Sequence, residues 1–305
     1  MSALSARLEY VEVYIEKIGE DSLRNALTID VEDWYQTQDF NIPVADWPLY
    51  EDRIIKSMDK ILELLTKYQV QATFFVLGCV AARHPELVKQ IKNRGHEIGS
   101  HGYWHKMVNE QTKEEFRRNV VQSKEILVKI TGESVKLYRA PSWSISLDSL
   151  WALEILEEEG FVCDSSIQPY KTPLSGIRGA PIVPFHPAAG GSSLKLIEFP
   201  PTVLSLAGFK MPFAGGLYLR TLPYRILSEA MRRVNKTRAA MIYLHPWETD
   251  IEQPRICRPK HIEFIHYYNL ETTLRKLERL LNDYKFVPLG ELIRDEEYPV
   301  LSIKT

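Results

Sequence analysis

Cysteine is scarce in this 305-residue chain: Cys79, Cys163 and Cys257 are too few and too scattered for a disulfide framework, and none has the CxxC or CxxH spacing of a structural zinc site. They read as free thiols in a reducing compartment. Net charge is also missing. The 38 basic and 40 acidic residues leave −2, with no block of one sign, so neither nucleic acid nor an anionic membrane surface is expected as the main partner. A small neutral or mildly charged ligand fits better. No apolar run approaches the roughly 18 residues of a membrane span. In place of a leader's apolar core, the first stretch carries Glu9, Glu12, Glu16, Lys17, Glu20 and Asp21. A cytoplasmic location is therefore the expectation, and the Asn235-Lys236-Thr237 sequon means nothing without a secretory route. Repeats of 20 to 50 residues and low-complexity tracts are lacking as well.

What the chain has is an alternation of short β-branched runs and amphipathic stretches. Residues 1–25 form a polar lead-in. Strands are expected at 26–31, 72–77, 97–99, 137–139, 161–164, 240–244 and near 285–287, and helices at 51–68, 85–94, 112–130, 147–159, 223–234 and 261–281. Pro85 sits in the first turn of one helix with Gly95 just past its end, and Gly160 stops another. Residues 165–219, rich in proline and glycine, break the rhythm with loops and one short strand near 195–199. Repeated βα units imply parallel strands covered by helices, and in a closed barrel functional side chains gather at the C-terminal strand ends. The fold class is α/β, a distorted (β/α) barrel of about seven strands.

Polar residues stand where those strands end: Asp30 with Glu32 and Asp33, His101 with His105, then Arg139, Asp164 and His245. His101 and His105 are four apart, so one turn of helix after Gly102 would let both imidazoles share a cation. Within a strand Asp30 and Glu32 share a face, whereas Asp33 is within reach if the strand bulges or ends at Val31.

In this order the motifs resemble those of the NodB-homology polysaccharide deacetylases, carbohydrate esterase family 4. That family's Thr-Phe-Asp-Asp-Gly-Pro appears as Thr28-Ile29-Asp30-Val31-Glu32-Asp33-Trp34. Its His-Ser/Thr-x-x-His appears as His101 to His105 with Gly102 in the second place. Arg139-Ala140-Pro141 matches Arg-x-Pro, with Ser142 in the aromatic's place and Trp143 one later. Asp164-Ser165 matches the fourth motif, and Tyr243-Leu244-His245 the fifth. Three further stretches are similar to a bacterial branch encoded in exopolysaccharide gene clusters. These are Val31-Glu32-Asp33-Trp34-Tyr35, Gly215-Gly216-Leu217-Tyr218-Leu219-Arg220 and Tyr243-Leu244-His245-Pro246-Trp247-Glu248.

The resemblance implies one deacetylase barrel over 26–305, in which 165–305 includes a branch-specific insertion and C-terminal extension. It implies a divalent metal, Zn2+ first, held by His101, His105 and either Glu32 or Asp33, with a slight lean to Asp33. Asp30 would be the base and His245 the acid, Arg139 orienting the first and Asp164 the second. A backbone N–H near Ser142 would complete an oxyanion hole. Trp34, Trp143 and Trp247, with Pro141 and Ser142, would line the substrate site, and Trp104 also lies beside a motif. The implied activity is removal of N-acetyl groups from hexosamine units of a glycan or glycan precursor. The partner is that glycan, with no nucleic acid, no membrane span and self-association left open. The alternatives are an allantoinase-like cyclic amide hydrolase and a non-catalytic glycan-binding module.

Overall fold

The computed structural model describes residues 23–189, 192–206, 208–294 and 296–303. Most of the expected lead-in, residues 1–22, lies outside the described residues, and Asn25 already opens a strand. Seven parallel strands form one sheet: β1 (Asn25–Val31), β2 (Thr73–Val76), β3 (Glu97–Ser100), β4 (Leu137–Tyr138), β5 (Cys163–Asp164), β6 (Ile197–Glu198) and β7 (Met241–Leu244). They run in the order β7-β1-β2-β3-β4-β5-β6, and β8 (Phe286–Val287) pairs in parallel with the start of β1. β1 sits between β7 and β2, with Ile29 opposite Leu244 and Phe74, and is buried at every position. A central parallel strand covered on both faces has no solvent side, so Ala26, Leu27, Ile29 and Val31 pack in the core, and the buried polar residues Asn25, Thr28 and Asp30 are each hydrogen-bonded.

Helices coat the outside of this distorted, open (β/α) barrel of seven strands. They are α1 (Ile54–Tyr68), α2 (Gly78–Arg83), α3 (Pro85–Asn93), α4 (Lys113–Thr131), α5 (Trp151–Glu158), α6 (Gly216–Thr221), α7 (Tyr224–Asn235), α8 (Lys260–Tyr267), α9 (Thr273–Asp283) and the short α10 (Leu289–Ile293). Helix α1 shows the logic of the coat: Ile54, Met58, Ile61, Leu62 and Leu65 recur at helical spacing and are buried against the sheet. Helix α4 begins at a Thr112–Glu115 capping box and stops at Gly132, whose φ of 71° suits the left-handed cap. Among the described residues no helix is long and apolar enough to cross a membrane.

Two expectations need correction. The helix expected over 261–281 is two helices, α8 and α9, separated by Asn269 in a left-handed conformation (φ 60°) and a 3-10 turn at Leu270–Thr272. The break has a tertiary cause, because the end of α8 gives its carbonyls to Arg220, described below. Residues 165–219 hold more than loops and one strand: an antiparallel hairpin (Val203–Leu206 with Phe209–Pro212) and a small sheet built from His186–Ala189, Ser192–Ser193 and Val300–Ser302.

Candidate active site and metal centre

Because all seven strands are parallel, the residues that follow them meet at one mouth of the barrel. There they line a cleft of about 520 Å³ that includes Asp30, Glu32, His101, His105 and His245. The chain turns sharply after β1, the Glu32 N–H donating to the Asp30 carbonyl at 3.0 Å. Val31 stays fully buried in the core while Asp30 and Glu32 both face the cleft. Glu32, His101 and His105 each offer one ligand atom, all within 4.8 Å of one another. The nearest pair, His105 Nε2 and Glu32 Oε2, is 2.5 Å apart, and His101 Nε2 lies 4.0 Å from the same oxygen.

Glu32 Oε2 is buried, and the two imidazole Nε2 atoms face it from His105 and His101, so the three side chains converge on one point. His101 Nδ1 donates to the Arg139 carbonyl at 2.8 Å, which leaves its Nε2 lone pair facing the group. Burial holds the His101 pKa down at about 4, so the ring is neutral and able to ligate at neutral pH. Burial works against ionised Glu32, but His105, His245 and His101 outweigh it and lower its pKa. Two imidazoles and one carboxylate are a donor set that fits a divalent cation with an open position.

The histidine turn is not the helical turn expected from the i, i+4 spacing. Gly102 has φ 73° and His105 φ 52°, and the Tyr103 N–H donates to Asn119 Oδ1 at 2.8 Å. A Cβ on Gly102 would stand 2.9 Å from that same oxygen, which explains glycine where the family has Ser or Thr.

Asp33 is not in this group. Its carboxylate accepts the N–H groups of Trp34 (2.8 Å), Arg53 (2.8 Å) and Ile54 (3.1 Å), so it caps the start of α1. Burial nevertheless raises its pKa to about 7. The lean toward Asp33 as ligand is therefore corrected to Glu32, because the turn at Val31 points residues 30 and 32 inward and 33 toward the helix.

Around Asp30 and His245 the contacts are equally specific. Arg139, fully buried, donates from Nη1 to Asp30 Oδ1 at 2.6 Å and to Thr28 Oγ1 at 2.9 Å. His245 Nε2 lies 3.9 Å from Asp30 Oδ2 and 3.8 Å from Glu32 Oε1. Its Nδ1 meets Glu248 Oε2 at 3.0 Å, and Asp164 is not its partner. Burial opposes charge on His245, but the carboxylates of Glu32, Glu248 and Asp30 raise its pKa to about 9. Asp164 lies deeper, bonded to Ser166 Oγ and close to Glu198, whose Oε1 accepts the Ser166 and Ile167 N–H groups. Burial pushes both of these carboxyls up, Asp164 to about 6, and the neighbouring Asp164 charge adds to the rise at Glu198.

The expected aromatic platforms divide. Ser142 and Trp143 line the cleft; Trp143 packs edge-on against Tyr243, and its Nε1 has no partner. Pro141 is buried at the start of the short turn that presents them. Trp247 borders the cleft but cannot stack on a sugar. Its ring lies between His245 (5.4 Å) and His266 (4.2 Å), and its Nε1 donates to Glu32 Oε1 at 3.1 Å. Trp34 is buried among Tyr35, Phe40 and Tyr50 and donates to the Glu51 carbonyl. Trp104 lines a separate cavity with Trp47. Sequence reasoning placed Glu248 and Arg220 in branch motifs without giving either a role, and it did not single out Glu198. Glu248 left a physical signal: three residues after His245 at the start of a helical turn, it completes a capping box.

Residues 49–159 match the polysaccharide deacetylase family, and residues 165–294 match a domain of unknown function, DUF3473. The chain thus joins a NodB-type polysaccharide deacetylase domain, matched over 49–159, to a DUF3473 domain, matched over 165–294. It is similar to a peptidoglycan-N-acetylglucosamine deacetylase of Bacillus cereus, 40% identical over 96 residues that make up 31% of this chain and 35% of that protein. The peptidoglycan-N-acetylmuramic acid deacetylase PdaA of Bacillus subtilis is 34% identical over 82 residues, 27% of this chain and 31% of that one. The chain thus spans about a third of the length of these relatives. Among solved structures, a candidate polysaccharide deacetylase from Mycobacterium smegmatis superposes with a TM-score of 0.59 at 20% identity, covering 92% of this chain and 94% of that one. The Bc1960 peptidoglycan N-acetylglucosamine deacetylase gives 0.50 at 19% identity, covering 90% of each. These two likenesses carry the fold.

Proposed function

We propose that the cleft hydrolyses the N-acetyl group of a hexosamine unit in a glycan or glycan precursor, with Glu32, His101 and His105 holding a divalent cation, Zn2+ first. The observation that carries this reading is the meeting of that ligand group with the Asp30–Arg139 pair and His245 at one barrel mouth. The cation would supply Lewis acidity toward a water molecule and the acetyl carbonyl. Asp30, oriented by Arg139, takes the proton of the attacking water. As the C–N bond breaks, His245 delivers a proton to the leaving nitrogen, releasing acetate and a free amine. The side chain of His245 is 16% exposed, so its edge reaches substrate while the rest is held. Ser142 and Trp143 line the same cleft beside these residues.

The substrate class follows the branch resemblance, an exopolysaccharide or its precursor in place of peptidoglycan, and the three free cysteines support a reducing, cytoplasmic setting. No observation favours the cyclic-amide or binding-only readings. The test is to incubate the Zn2+-loaded protein, and a chelator-treated portion, with a panel of N-acetylated oligosaccharides and with allantoin. Acetate release that needs the cation is the expected result; turnover of allantoin alone, or of nothing on the panel, overturns the proposal.

A further inference from the structure

We propose that Arg220 and Glu248 are positioning residues for His245, so that the segment matching DUF3473 completes the deacetylase site instead of merely covering it. The inference rests on the function proposed above for His245 but stands on separate geometry. Glu248 Oε2 is engaged twice by the same residue: it accepts the His245 backbone N–H at 3.0 Å and meets His245 Nδ1 at 3.0 Å. Backbone and ring are thereby pinned together, which fixes both the rotamer and the proton on Nδ1, and leaves Nε2 for the cleft. The other oxygen, Oε1, accepts from Arg220 Nε at 2.8 Å.

Arg220 is itself held on every side. Its Nη1 donates to the carbonyls of His266 (3.0 Å) and Tyr268 (2.8 Å), and its Nη2 to that of Ile265 (2.7 Å). These carbonyls are free because α8 ends there, and a cation is favoured at a helix C-terminus. Asn269, the left-handed residue that breaks the helix, returns a bond from Nδ2 to the Arg220 carbonyl at 2.6 Å. The guanidinium fork is thus matched to one carboxylate oxygen and three carbonyls, a geometry that lysine cannot reproduce.

The approach of α6 to the barrel explains the paired glycines before Arg220. Gly215 makes a parallel bridge to Tyr243, two residues before His245, and a Cβ there would stand 2.1 Å from the Tyr243 carbonyl oxygen. Gly216 adopts φ 54°. Larger residues would push α6, and Arg220 with it, away from Glu248. Both charged groups are buried, Glu248 at 0% and Arg220 at 1% exposure. A buried ion pair adds little to stability over an apolar pair of the same volume, so a fully bonded one directed at His245 points to a positioning role.

The test uses the cation-loaded full chain with Glu248→Gln and Arg220→Lys. In Glu248→Gln, kcat on an N-acetylated oligosaccharide should fall about 100-fold, KM should stay within about twofold, and cation content should not change. Activity on an aryl acetate, whose leaving group needs no proton, should fall less than about fivefold. Arg220→Lys should move kcat the same way; if it does not fold, Glu248→Gln decides. A second readout needs no turnover. In the 15N-histidine spectrum, the downfield Nδ1–H resonance that His245→Gln abolishes should shift or broaden in Glu248→Gln. If the wild type releases no acetate, the functional proposal fails while this resonance still decides the positioning. An unchanged resonance, an unchanged kcat, or equal losses on both substrates overturns the inference.

Discussion

At the scale of single residues, the site turns on one inserted valine. Val31 separates the base candidate from the carboxylate proposed as a cation ligand, and the turn it occupies directs Glu32 inward and Asp33 to the start of α1. Elemental analysis separates the two: Glu32→Gln, His101→Ala and His105→Ala should lose the cation, while Asp33→Asn should keep it and unfold at lower urea, having lost about 1 to 2 kcal/mol of capping. A cation-free Asp33→Asn beside a cation-loaded Glu32→Gln would reverse the assignment. Trp247 gives a second prediction. Its indole N–H is the bond that orients Glu32, so Trp247→Phe should keep the ring stack yet weaken the cation about 10- to 100-fold in a chelator competition. Affinity equal to wild type would return Trp247 to a packing role. Residues of this kind are legible in sequence by type and by position at a strand end. Their partners are not, because a hydrogen bond between residues 32 and 247 leaves no trace in either segment alone.

At the scale of elements, the barrel was legible because its strands are short, apolar and regularly followed by amphipathic helices, and period alone distinguishes the two. Breaks made by tertiary contacts were not. The stretch 261–281 keeps a helical period across Tyr268 and Asn269, yet the chain there turns left-handed so that Arg220 can reach three carbonyls. Asparagine tolerates that conformation and a β-branched residue does not. Asn269→Val should therefore cost about 1 to 2 kcal/mol in urea unfolding, whereas Asn269→Gly should cost less while still losing the Nδ2 bond to the Arg220 carbonyl. Equal losses in the two variants would place the cost in that bond and not in the backbone. The hairpin at Val203–Leu206 and Phe209–Pro212 was hidden for a related reason: its strands are four residues each, half exposed, and set in a proline-rich stretch that reads as loop.

At the scale of the whole molecule, burying histidines beneath the barrel mouth ties stability to pH. His266 is fully buried against Trp247 and Phe40, its Nε2 bonded to Gln253 Oε1 at 2.8 Å. Burial first, and the Arg220 guanidinium second, lower its pKa from 6.5 to about 3. The folded ring stays neutral where the unfolded ring takes a proton, so between pH 6.5 and about 3 the unfolded chain binds more protons and acid favours it. Stability from this group is complete above pH 6.5, is lost progressively as the pH falls, and stops changing below about 3, where both states are protonated. Each pH unit inside that window removes about 1.4 kcal/mol at most, which makes the full effect several kcal/mol. Other groups titrate in the same range, among them the depressed carboxyl of Glu248, which also loses stability in acid, and the raised carboxyl of Asp164, which acts in the opposite sense. The comparison with His266→Gln cancels them. Glutamine can keep the bond to Gln253 but takes no proton, so urea midpoints measured from pH 7 to 4 should fall more steeply for wild type than for the variant. The two curves should converge as the pH drops. Parallel curves across the window would mean that His266 is protonated in the folded state, against the burial that the stack over Trp247 gives it.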